Sequence, residues 1–445
     1  MAHHRPDASF DALPALSDAL RVPPSERSFG RQYAQMYDFR LAVLRKRAKE
    51  AAMERHASAA YVDRLLDIPP RQVCVVTGTF FSALRRKPDV LQDIARDLSL
   101  PPPPPRTSYV DMEHDELFFE DQSGRVRLVG EAIRPGSELA HKCVTGVVAS
   151  IVGIETPDGD LEVRHVYFPG LPPPDAAPTT VTGGRIVLAS GLRAGEADPK
   201  NDLARELLVE WLTGELDASS RDETRRISSL VLAGDSVQRA AWEHVVDPKH
   251  QEPNPFAYMD PLLAQLCESL RAVVVMPGAQ DPCSAALPQQ PLLRTLLPRS
   301  SVHDTLHLCT NPTWFSVHGR RILATSGQNI HDLLKYLPDE AQTTDAALNM
   351  AASTLEWSHI APTAPDTLWC YPFKATDALV IRAAPDLYLI GNQDAYATKL
   401  VHNVRLILVP SFARTHEVVV LDTETLEPHV MSCLLYTSPS PRDRG

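Results

Sequence analysis

Apolar positions along the chain fall into three successive textures. In the first, Tyr33, Tyr37, Leu41, Leu44 and Ala48 recur at helical spacing with Arg and Lys between them. That period predicts an amphipathic helix within 27–60, with Ser25 or Ser28 placed to cap it. From about 61 to 170 the texture is β. Strands are predicted over 73–81, 117–121, 125–131, 143–154 and 161–168, with turns at Gln122-Ser123-Gly124 and Asp158-Gly159. Five short strands of this kind predict a small closed barrel of the OB type. The proline run 101–105 has no N–H to give to a ladder, so it reads as a stiff excursion between the first two strands.

The third texture begins after the Pro-rich stretch 171–180, which reads as a linker. Over 181–430 strand and helix patterns alternate, which argues an α/β sheet domain. Strands are expected at 185–189, 227–233, 272–276, 306–309, 321–325, 386–390, 404–410 and 417–422. Helices are expected at 202–212, with Leu203, Leu207 and Trp211 on one face, at 330–337 and at 345–357. Asp260-Pro261 reads as a cap and first helical position, followed by a helix burying Leu262, Leu263, Leu266 and Leu270. Residues 1–26 are aperiodic and read as a flexible tail. Residues 431–445 share no pattern with what precedes them and look like translated sequencing-adapter sequence, so they are left out of the fold reading. The expected fold class is therefore α/β plus all-β: a helix and an OB-type barrel, then an α/β domain.

Composition narrows the function. The 445 residues carry a formal net charge of −12, which disfavours an unassisted grip on a phosphate backbone and suits protein partners. The barrel region is rich in acids (Asp111, Glu113, Asp115, Glu116, Glu120, Asp121) and reads as a protein-docking module. Seven cysteines occur with no CxxC spacing, which points to buried thiols in a reducing compartment and away from zinc or iron–sulfur binding. No apolar run reaches the ~18 residues that a membrane span requires. His303 and His307 are taken as ordinary residues sharing one face of a strand. Ser190 lies outside any G-x-S-x-G elbow, and neither a GxGxxG nor a GxxxxGK[ST] loop is present.

Chemistry in an open α/β sheet sits in the loops after the strands. Here those loops read Ser190-Gly191-Leu192-Arg193, Gly234-Asp235-Ser236, Pro277-Gly278-Ala279-Gln280-Asp281, Ser326-Gly327-Gln328 and Gly391-Asn392-Gln393. Their order and spacing resemble the calcineurin-like metallophosphoesterases, and most closely the small B subunits of replicative DNA polymerases, the delta class in particular. The stretches 29–41 (FGRQYAQMYDFRL), 287–292 (LPQQPL), 310–315 (TNPTWF), 325–336 (TSGQNIHDLLKY), 359–373 (HIAPTAPDTLWCYPF) and 409–413 (VPSFA) carry that resemblance. An active phosphoesterase needs two divalent ions held by Asp, Asn and His. Against that pattern, Gly191 and Arg193 stand where Asp and His belong, and Ala279 and Gln280 where Asn and His belong. Ser326 and Asn392 each replace a His, while Asp235 and Asp281 persist. The resemblance thus implies a phosphoesterase sandwich with no catalytic residues, bound metal or cofactor.

It also implies a role: a non-catalytic scaffold in nuclear DNA replication and repair. Such a scaffold would link the C-terminal domain of the polymerase catalytic subunit to a third regulatory subunit, would be shared with the translesion polymerase zeta, and would meet DNA only through the complex, away from membranes. Two other classes compete with it. One is a divergent metal-dependent phosphoesterase or nuclease, which would require more ligands beside Asp235 and Asp281. The other is an OB-fold single-stranded DNA binder using aromatics on the barrel.

Overall fold

The computed structural model describes residues 5–87, 106–173, 180–216, 221–238 and 254–434. The proline run 101–105 and most of the 171–180 linker lie outside them. The chain forms two compact units, one of Pro24–Pro174 with Asn329–Ala384, the other of Met1–Pro23, Asp175–Gln328 and Pro385–Gly445. The 181–430 region is therefore not one body: Asn329–Ala384 groups with the barrel. Two linear boundaries could not convey this, because the regrouping depends on long-range contacts.

In the first unit, helix Ala34–Arg55 lies against the barrel, burying Met36, Arg40, Leu41, Leu44, Ala48 and Ala52. Its Tyr33 N-cap makes no side-chain cap bond, so neither serine caps it. Leu41 and Leu44 pack on Val148 and Val380, and Ala52 on Val75 and Val152. The barrel orders its strands Ala60–Val62, Val73–Ala83, Glu116–Glu120, Arg125–Val129, Leu161–Tyr167 and Val148–Glu155. It closes by antiparallel pairing of Val73–Ala83 with Val148–Glu155. Several of the barrel's acids are engaged internally. Asp121 accepts from the N–H groups of Leu65, Ser123 and Gly124, Glu120 pairs with Arg125, and Glu116 and Asp160 flank Arg127.

The second unit is a sandwich of two six-stranded sheets. One runs Leu306–Leu308, Ala272–Met276, Ile227–Ala233, Arg185–Ala189, Glu417–Asp422, Pro428–Ser432; its first four strands are mutually parallel. The other runs Phe10–Asp11, Thr313–Val317, Arg320–Thr325, Leu387–Gln393, Val404–Pro410, Ala397–Val401. Alternation sends Ile186, Leu188, Val231, Val274 and Met276 toward Phe315, Ile322, Leu389 and Val409 of the facing sheet. The opposite face of the first sheet, Val187, Leu230, Leu232, Val273 and Val275, is covered by helices Pro199–Thr213 and Phe256–Ser269.

Several expectations need correction. Residues 5–23 are seated on this unit: Phe10 pairs with Val317 and stacks on His307 at 3.7 Å, and Val22 N donates to Gln290 Oε1. A two-residue edge strand has too little pattern to show in sequence. Helix Pro199–Thr213 buries Ala204, Leu208, Trp211 and Leu212, leaving Leu203 44% exposed; Asp198 caps it, with Pro199 at its start. Pro261 lies inside helix Phe256–Ser269, and the Asp260 carboxylate instead accepts from Arg299 N, Ser300 N and Ser300 Oγ. His303 ends a 3-10 turn, outside the strand that holds His307. Strand Pro428–Ser432 pairs with Glu417–Asp422 and Cys433 is buried in the core, so 431–434 belong to the fold, whatever their origin. Of the seven cysteines, Cys283 alone is only half-buried. Among the described residues no helix is long and apolar enough to cross a membrane.

Candidate functional site

The loops after strands Arg185–Ala189, Ile227–Ala233, Ala272–Met276 and Arg320–Thr325 meet the C-terminal end of strand Leu387–Gln393 at one end of the sandwich. The meeting is built largely from backbone hydrogen bonds. Gly191 N donates to Gly234 O at 2.9 Å and Arg193 N to Asp235 O at 3.1 Å. Gly191 has φ +64°, and a Cβ there would stand 2.8 Å from Asn392 Oδ1 and run into Ser411 Oγ. The position thus needs glycine both for its left-handed backbone and for lack of room.

Both surviving carboxylates are engaged by backbone. Asp235 Oδ1 accepts from Gln280 N at 2.8 Å. Asp281 is buried and accepts from Val237 N at 3.0 Å and Gly278 N at 2.8 Å, one bond to each oxygen. The two acids therefore tie the second and third loops together. Burial raises the Asp235 pKa above the usual carboxylate range, while the Gln280 N–H and the Arg193 charge pull it down. Burial pushes Asp281 up to about 7; the Val237 and Gly278 N–H groups oppose the rise and the Asp235 charge adds to it.

The other expected positions act in the same way. Arg193 Nε donates to Gln238 Oε1 at 3.0 Å, with Glu196 3.5 Å from its guanidinium. Asn392 Nδ2 donates to Ala233 O and Ser326 O, and Asn392 N to Ser190 Oγ. Ser326 Oγ donates to Gln328 Oε1 and accepts from Asn311 Nδ2, both at 2.7 Å. Ala279 is exposed and Gln280 half-buried at the rim of a hollow of about 610 Å³ that Gln238, Phe256, Asp281 and Gln289 also line.

A binuclear centre does not fit this donor set. Gly191 and Ala279 have no donor atom, Arg193 brings positive charge, and both carboxylates already accept from N–H groups. Among the described residues no three His, Cys, Asp or Glu side chains gather to hold an ion. Ser190 is buried and its Oγ donates to Pro410 O at 3.0 Å, so it is a tie between strand ends.

Sequence reasoning missed the amides that complete the site. Gln289 Nε2 donates to Gly278 O and Ser284 O, and its Oε1 accepts from Asn311 Nδ2 and Gln328 Nε2. The 287–292 stretch buries Leu287 and Gln289. The available signal was three carboxamides, Gln289, Asn311 and Gln328, each in a distinctive stretch after a strand.

The family model for the DNA polymerase alpha/epsilon B subunit matches residues 186–399, and that for the DNA polymerase delta subunit OB-fold domain matches 32–166. The DNA polymerase delta small subunit of Arabidopsis thaliana is 36% identical over 442 residues, covering 97% of this chain and 96% of the relative. That of Saccharomyces cerevisiae is 32% identical, covering 94% and 92%. DNA polymerase delta subunit 2 of Drosophila melanogaster is 33% identical, covering 90% and 92%. Among solved structures, a phosphoesterase-like protein from Streptococcus pneumoniae aligns over 57% of this chain and 91% of its own at 12% identity and TM-score 0.25, too distant a likeness to carry an argument. With identity of this level running end to end, the chain belongs to the DNA polymerase delta small-subunit family.

Proposed function

We propose that this chain is a non-catalytic scaffold of the polymerase delta complex, acting in nuclear DNA replication and repair. As a member of the small-subunit family, it partners the catalytic subunit within that complex. The finer reading is that it docks the C-terminal domain of the catalytic subunit on one side and a third regulatory subunit on the other, with polymerase zeta as a second user. One observation supports loss of catalysis above the rest: Asp235 and Asp281, the acids left from a phosphoesterase ligand set, each accept backbone N–H groups of neighbouring loops. In that role they hold the loops in shape, and three of their four oxygens already accept a backbone N–H. The test is hydrolysis of bis-p-nitrophenyl phosphate by the purified chain with millimolar Mn²⁺. The expected rate equals that of the Asp235→Ala variant. Turnover that is metal-dependent and disappears in the variant would restore the enzyme reading.

A further inference from the structure

Two segments of the barrel unit, 27–35 and 369–374, bring a row of aromatic rings to the surface. Phe29 meets Tyr371 edge-on at 5.5 Å, and Tyr371 meets Phe373 at 5.1 Å. Tyr33 Oη donates to Cys370 O at 2.9 Å, and Ser28 N donates to Tyr371 Oη at 3.2 Å, so the two segments are fixed to each other. Tyr371 and Phe373 are buried by this arrangement, whereas Phe29 is 65% exposed and Trp369 53% exposed. Phe29 and Trp369 are thus held outward on two segments that hydrogen bonds brace against each other, and large aromatics so placed suit a covering partner. Beside them, Arg31 and Lys374 line a hollow of about 520 Å³ with Gln32 and Gln35.

The charge here inverts that of the chain. Residues 24–35 and 369–374 together carry Arg27, Arg31 and Lys374 against the single acid Glu26, in a protein of net charge −12. The geometry points to a docking site for a short acidic segment of a partner subunit. An apolar side chain of that segment would lie against Phe29 and Trp369, and its carboxylates would meet Arg31 and Lys374. The inference rests on the scaffold reading and gives it a surface. A nucleic-acid strand fits less well, since it needs several phosphates neutralised and only two cations line the hollow.

The test uses the full chain and two variants, Phe29→Ala/Trp369→Ala and Arg31→Glu/Lys374→Glu. All four side chains are exposed, so the thermal midpoint should match wild type. Affinity is measured for the catalytic subunit's C-terminal domain, for the third subunit and for oligo-dT. Both variants are expected to lose affinity for the same one partner, about tenfold or more, with the charge reversal also flattening the salt dependence. If wild type binds the subunits and both variants match it, the surface is refuted while the scaffold reading stands. Loss of oligo-dT binding alone in the charge-reversed variant would overturn the inference in favour of a nucleic-acid site. If wild type binds neither subunit, the scaffold reading itself fails, and this inference with it.

Discussion

Arg40 offers the sharpest test of how the barrel unit is held together. It lies on helix Ala34–Arg55 yet is fully buried, and its guanidinium donates to Asp377 Oδ2 at 2.7 Å, Gly146 O at 3.1 Å, Pro362 O at 2.8 Å and Ala364 O at 2.7 Å. One side chain thus joins the helix, the barrel and the 359–381 segment. Replacement by methionine keeps most of the bulk but leaves the buried Asp377 without its cation. Removing one partner of a buried pair costs about 3–5 kcal/mol, and three carbonyls lose a donor besides. With a urea slope of about 3 kcal/mol/M, the unfolding midpoint of Arg40→Met should fall by roughly 1–2 M.

The variant should also change its response to acid. His359 Nε2 lies 2.9 Å from Asp377 Oδ2, and its Nδ1 accepts from Ala361 N at 3.2 Å. That arrangement suits a neutral ring. Burial first, then the Arg40 charge, lower its pKa from 6.5 to about 4. In wild type the unfolded chain therefore binds a proton that the native state refuses, and stability falls as pH drops from 6.5 toward 4. Asp377 is held well below the usual carboxylate range by Arg40 and His359 against the desolvation cost, so acid acts on it in the same direction, below pH 3.8. Without Arg40, Asp377 faces His359 alone and the His359 pKa rises. A histidine whose native pKa lies nearer its unfolded value loses less stability as pH falls. The deficit of Arg40→Met should therefore shrink between pH 7 and 5. Arg40→Met/Asp377→Asn should be more stable than Arg40→Met, because the stranded charge is gone. The assay is urea unfolding across pH, followed by tryptophan emission. A midpoint moved by less than ~0.3 M, or a deficit that grows on acidification, would refute the reasoning.

Three further outcomes are expected. Asp281→Asn should cost about 1–3 kcal/mol in urea unfolding, because an amide can accept only one of the two N–H bonds. Its deficit should be largest near pH 4 and shrink as pH rises toward 7, since over that window the unfolded wild-type chain releases the Asp281 proton that the native state keeps. Gly191→Ala should be destabilised by about 1–3 kcal/mol in the same assay, for its positive φ and the contacts a Cβ would meet. Millimolar Mn²⁺ should leave the thermal midpoint of the wild-type chain unchanged, whereas a two-metal site would raise it.

Much of the architecture was legible because apolar runs and turns follow simple periods. Strands Arg185–Ala189, Ile227–Ala233 and Val404–Pro410 begin and end where the pattern does. Helix faces were less so. Leu203 and Leu207 look like core positions, but the cap at Asp198 and the packing against the sheet turn the helix so that Ala204 and Leu208 face inward. Thr313–Val317 and Ala397–Val401 were missed, as a short strand beside Pro and one with no fully buried residue carry little period. At the site, the residue types that fit a binuclear centre poorly could be read directly. What replaced it could not: the ties from Gln289 to Gly278, Asn311 and Gln328 span up to 39 positions and depend on the sandwich being assembled. Arg40 was hidden for a similar reason, since an Arg at helical spacing reads as solvent-facing until its buried acceptors are known.

The most direct measurement is co-purification of the full chain with the C-terminal domain of the polymerase delta catalytic subunit, using co-expression and size-exclusion chromatography with light scattering. The account predicts a complex that elutes at the summed mass and survives physiological salt, in which Asp235→Ala assembles as wild type does. Separate elution of the two proteins would contradict it.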